Sequence, residues 1–176
     1  IPDSTPIIYE VSFVSENTGI ACTYSGHILR TTDAGNTWKK VYQQTNRDWW
    51  NCEFGPTGIG TVGGTNSALL MTTDSGATWK IIPYILDENG FYLGIGDAYP
   101  FDSLNILVGD HKLRRTTDGG MSWSVEDEVF PIDYPQGLVD DIDIAREHPQ
   151  GHLAILQERL QSQGVVAHQL AHLGRV

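Results

Sequence analysis

Three aspartates are the first candidates for chemistry, because they recur in one setting. Asp33, Asp74 and Asp118 each sit in the pattern Thr-Thr-Asp-x-Gly-x-Thr/Ser-Trp. A placed carboxylate can serve as general acid or base in glycoside cleavage, where two such groups stand roughly 5–10 Å apart across the sugar. The neighbouring residues point elsewhere. Gly35, Gly76 and Gly120 permit positive φ where a hairpin reverses. The carboxylate can accept hydrogen bonds from backbone N–H groups of its own loop, and the following Thr or Ser hydroxyl can add another. Trp38, Trp79 and Trp123 then return along the next strand and cover the hairpin. We read these residues as turn locks rather than catalytic acids.

Seven acids fall between Glu126 and Asp143 with no Lys or Arg among them. A Ca²⁺ site needs six to eight oxygens converging on one point, and a solvated acidic segment is the simpler reading. His148 and His152, and His168 and His172, have i, i+4 spacing, but Pro149 interrupts the first pair and no third ligand is evident. No metal and no cofactor are expected. Cys22 and Cys52 fall in different repeat units. They read as buried free thiols, with a bridge left open for an oxidising compartment. There is no Gly-x-Ser-x-Gly, P-loop or His-Glu-x-x-His.

The elements that position these residues follow from the repeat. Asp33, Asp74 and Asp118 recur at the spacing of one four-stranded propeller blade. Upstream of each, a short β run leads through turn residues into the motif: Gly19–Thr23, Gly58–Val62 and Asn105–Gly109. The expected fold is therefore all-β, with blade units at about 7–43, 48–83 and 92–126. A degenerate fourth unit spans 138–176 without an Asp motif. Three and a half blades do not close an ordinary ring, which has about four to eight. Either the chain is a fragment, or a second copy completes the ring, or the ring is unusually small; fragment or self-association is favoured.

These segments resemble the Asp-box, or bacterial neuraminidase, repeat. Gly26-His27-Ile28-Leu29-Arg30-Thr31-Thr32-Asp33 is most similar to the photosystem II assembly and stability factor family. That resemblance implies an exported or lumenal β-propeller that assists assembly of a membrane complex. It also raises the sialidases, whose Arg triad clamps the substrate carboxylate. Their Phe/Tyr-Arg-Ile-Pro signature is absent here, and Arg30 and Arg115 occupy equivalent repeat positions beside the motif. Paired-carboxylate glycosidases carry no distinguishing signal among 22 acids.

Composition narrows the partners. A net charge of −11 disfavours nucleic acid and anionic membranes. No apolar run approaches the roughly 20 residues of a spanning helix. The opening Ile1-Pro2-Asp3 reads as a processed product or a fragment, with any export signal outside it. Candidate binding residues lie on the links between units: Arg47, Trp49 and Trp50 before the second, Tyr92 and Tyr99 before the third. Adjacent aromatics can stack on a glycan or anchor a protein contact, or can begin an inner strand and pack between blades. The expected function is a non-catalytic exported scaffold that binds protein, with a glycan-binding or glycosidase-related propeller as the alternative.

Overall fold

The computed structural model describes residues 7–126, apart from Glu88, Leu93 and His111. All of these fall within one compact unit, Ile1–Ile142. The fourth unit, both His pairs and most of the acidic run lie outside the described residues. Three four-stranded antiparallel sheets follow one another along the chain. The first blade is β1 (Ile8–Phe13), β2 (Gly19–Thr23), β3 (His27–Thr31) and β4 (Lys39–Gln43). The second is β5 (Trp49–Phe54), β6 (Gly60–Gly64), β7 (Leu69–Thr72) and β8 (Lys80–Ile82). The third is β9 (Asp97–Pro100), β10 (Ile106–Gly109), β11 (Leu113–Thr116) and β12 (Ser124–Val125). Within each blade the strands pair in sequence order. The chain therefore reverses at alternate ends. The Asp motifs sit at one end, and the links between blades sit at the other with the β2–β3 and β6–β7 turns.

The inner strands β1, β5 and β9 stand side by side, and the blades pack face to face. Ile20, Cys22 and Ile28 of the first blade meet Trp49, Cys52, Phe54, Val62 and Leu70 of the second. Leu69, Met71 and Ile82 of the second meet Ile95, Ala98, Ile106 and Val108 of the third side. Strands β2, β6 and β7 are buried along their whole length, as expected of strands covered on both faces. Glycines serve the tight approach. A side chain at Gly63 would collide with Ile95, its Cβ only 2.6 Å from Ile95 Cγ2. The third blade departs from its siblings at Arg114, which takes the place of Leu70 and is neutralised by Asp110 at 2.6 Å.

The turn locks are nearly identical in the three blades. Thr37 donates its N–H to Asp33 Oδ1 at 2.8 Å and its hydroxyl to Oδ2 at 2.6 Å. Thr78 does the same to Asp74 at the same distances, and Ser122 to Asp118 at 2.9 and 2.6 Å. A second threonine completes each lock. Buried Thr31 donates to Asp33 Oδ1 at 2.8 Å and accepts the Gly35 N–H at 2.9 Å. Thr72 and Thr116 repeat this arrangement. Two successive residues hold positive φ at the tip: Ala34 and Gly35, Ser75 and Gly76, Gly119 and Gly120. That is the twist a tight β-hairpin requires.

These bonds favour the ionised aspartate. Hydrogen bonds from Thr78 hold the Asp74 carboxyl at about 2, below its ordinary 3.8. Those from Ser122 do the same for Asp118, also to about 2, and those from Thr37 lower Asp33. A carboxyl held below its unfolded value binds protons less readily when folded. Its contribution is complete above about pH 5 and lost as pH falls from 3.8 through about 2. Acid titration of the far-ultraviolet circular dichroism should therefore show a destabilisation in that window. Thr78→Val should make it shallower, and an unchanged slope would contradict the assignment. The tip makes a separate prediction. Ala34 holds φ 57° without being glycine, a strain of about 1 kcal/mol. Ala34→Gly, copying Gly119, should raise thermal stability by up to that amount.

Candidate functional site

Two groups of side chains could carry function, one along the inner strands and one on the links. On the inner strands, Glu10, Asn51 and Asp97 occupy the same register position. Glu10 Oε2 accepts the Cys52 N–H at 2.8 Å. Asn51 Oδ1 accepts the Ala98 N–H at 3.2 Å. Each blade thus satisfies an inner-strand donor of the next. The Asn51 amide also donates to Glu10 Oε2 at 3.1 Å and to Asp97 Oδ1. One turn of register along, Ser12 Oγ accepts the Phe54 N–H at 3.1 Å and donates to Glu53 Oε2 at 3.3 Å. The carboxylates Glu10 and Asp97 are thereby bridged by an amide whose polar atoms are all engaged. This is a clasp between blades rather than an acid/base pair free to exchange protons with a substrate.

The second group lies on the links, at the end opposite the Asp motifs. Arg47 donates from Nη1 to the carbonyls of Thr65 and Asn66, at 2.8 and 3.1 Å. Its Nη2 reaches the Tyr84 hydroxyl at 3.2 Å, and the guanidinium carbon stands 5.4 Å from the Tyr84 ring centre. Tyr84 packs edge-on against Tyr92, with ring centres 5.3 Å apart. Tyr84, Leu86, Phe91 and Tyr92 are all exposed. A single bridge between Leu86 and Tyr92 pins the link back on itself, and Asp87 holds its turn by accepting the Phe91 N–H at 2.7 Å.

The sequence candidates therefore separate. Arg47 and Tyr92 come together through Tyr84. Trp50 is half-buried and lies over Gly94 of the following link. Trp49 is fully buried in the core beside Tyr42. Tyr99 is buried at 7% exposure on β9, against Phe101, and takes no part in the link surface. Trp38 packs edge-on against Phe13, whereas Trp79 and Trp123 pack against the two inter-blade cores. Tyr84 and Leu86 were not anticipated. Their one sequence signal is an apolar, aromatic run in a link much longer than its counterpart between the first two blades.

Cys22 and Cys52 are free thiols, both fully buried in the core between the first and second blades. Burial first, and a hydrogen bond with Cys22 second, push the Cys52 thiol well above its ordinary value. Among the described residues, no group of three or more His, Cys, Asp or Glu side chains is placed to hold a metal ion. No helix among them is long and apolar enough to cross a membrane.

No family model matches the chain, and no curated protein matches it in sequence. Solved structures do match. YCF48 bound to D1 peptide superposes with a TM-score of 0.60 at 23% identity, over 70% of this chain and 40% of that one. YCF48 from Cyanidioschyzon merolae gives 0.59 at 18% identity, over 71% and 41%. An ancestral GH74 enzyme gives 0.53 at 14% identity, over 71% and 18%. The chain thus spans about two fifths of the length of the YCF48 structures it matches. Identities this low carry the fold and not the activity. The chain has the β-propeller fold, in successive four-stranded blades that do not close into a ring among the described residues.

Proposed function

We propose that the chain is a non-catalytic propeller that binds protein and serves as an assembly factor for a membrane complex, outside the cytoplasm. The observation that carries this reading is the exposed aromatic surface of Tyr84, Phe91 and Tyr92, braced by Arg47, at the end opposite the Asp motifs. Rigid aromatics beside a fixed cation are the composition of protein-binding hot spots. YCF48, which shares the fold, has been captured with a peptide bound. The likeness of the Asp-box segments to the photosystem II assembly and stability factor family supports the same direction, and export comes from that likeness alone. The carboxylates nearest the inner strands are tied up in the blade clasp, which disfavours hydrolysis. A glycan-binding propeller is the second reading, favoured by the same exposed aromatics and by the fold shared with a GH74 enzyme.

Calorimetric titration with the D1 peptide that YCF48 was captured with separates the two. Binding is expected, and Tyr92→Ala should weaken it at least tenfold, about 1.4 kcal/mol. Tyr92 is the residue to change because Arg47 also holds the β6–β7 turn. Saturable binding of soluble glycans with no peptide response would replace the first reading by the second.

A further inference from the structure

The chain has two cysteines, and the fold brings both to one point. Cys22 lies on β2 of the first blade and Cys52 on β5 of the second. Both are 0% exposed, in the core that joins these two blades. A shared neighbour shows how close they stand. Glu10 is the register partner of Cys22 across β1 and β2, and its Oε2 accepts the Cys52 N–H at 2.8 Å. The two thiols are hydrogen-bonded to each other. Sulfurs that meet in this way from opposite blades have converging side chains. A disulfide sets that condition, and cysteine pairs whose Cβ vectors diverge fail it.

Packing alone does not ask for sulfur here. The next seam, between the second and third blades, repeats the same contact. Gly63 there holds the position of Cys22, and Ala98 holds that of Cys52. Both members of the pair change together from one seam to the next. A single buried cysteine behaves as a small hydrophobe. Two that meet across a joint can also form a bond.

We propose that Cys22 and Cys52 are an oxidisable pair, which a small-molecule disulfide of the glutathione class converts into a covalent bond between the first two blades. One cysteine thiolate attacks the external disulfide, forms a mixed disulfide and releases one external thiolate. The other cysteine thiolate attacks the protein sulfur of that mixed disulfide and expels the second. Two protein thiols give up two electrons and two protons, and one external disulfide becomes two thiols. The fold drives the second step. Neither sulfur is exposed in the closed core, so the first attack belongs to a locally opened state. A glutathionyl group has no room between close-packed blades, and reclosing brings the second sulfur onto it. The bond encloses residues 22–52, which include β3, β4 and the link that carries Arg47. It stabilises chiefly by constraining the unfolded chain.

Thiol counting on the whole chain tests this. In denaturant the reduced chain should show two thiols. It should show none after incubation with oxidised glutathione, first in buffer and then in sub-denaturing urea that lets the blades open. Its mass should fall by two hydrogens, with no glutathione attached and no bond between chains. Its unfolding equilibrium constant at fixed urea should fall at least tenfold, and dithiothreitol should reverse that gain. Cys52→Ala copies Ala98 at the same position of the third blade. It should keep its β-sheet circular dichroism and lose the gain. Two free thiols that survive both incubations overturn the proposal. So does a lasting glutathione adduct, a bond between two chains, or an oxidised chain that unfolds as readily as the reduced one.

Discussion

A four-stranded antiparallel blade has two broad faces, and in this chain both are apolar. That is the constraint on which the rest depends. A lone blade of this kind would leave both faces wet, whereas a blade between two neighbours buries both. The second blade shows the solved state, with β6 and β7 buried from end to end. Small residues are needed wherever the faces approach, which is why Gly63 stands where the first blade has Cys22. The polar backbone of the inner strands then has to be satisfied without a neighbouring strand. Side chains of the preceding blade do this, through Glu10, Ser12 and Asn51.

The Asp motifs serve this arrangement from the outside. Each carboxylate is consumed by its own loop, and its low pKa follows from donors a few residues away rather than from any distant charge. The lock fixes the hairpin tip, and the tip is what the preceding blade touches. Arg30 reaches it at the Ser75 carbonyl. Local turn chemistry and long-range packing are thus coupled at one residue. A turn that adopted another twist would remove both the acceptor and the glycine that lets the blades close.

Much of the fold was legible because the motif is local. The turn locks, the period and the equivalence of Arg30 and Arg115 all follow from residues within ten positions of each aspartate. The candidate surface was less legible, for identifiable reasons. Trp49 and Trp50 looked interchangeable, yet a bulge between Trp49 and Asn51 breaks the strict alternation of β5. One ring goes into the core and its neighbour out to Gly94. Tyr99 occupies the position of Glu53 on the inner strand, which the shorter hairpin of the third blade disguises. Tyr84 and Leu86 lie in the link 83–96, where the first link, 44–48, offers no template. A repeat teaches only what it repeats.

The paired thiols add something of a different kind. A thiolate is the reacting form of cysteine, and here burial disfavours it while shutting out the reagent. Cys22 and Cys52 share the seam between the first two blades, so neither can be reached until that seam parts. Separation of packed units has a free energy of its own, below or equal to that of global unfolding. The rate at which these two sulfurs become reactive is then a clock for the breathing of one joint, read without adding any label to the chain.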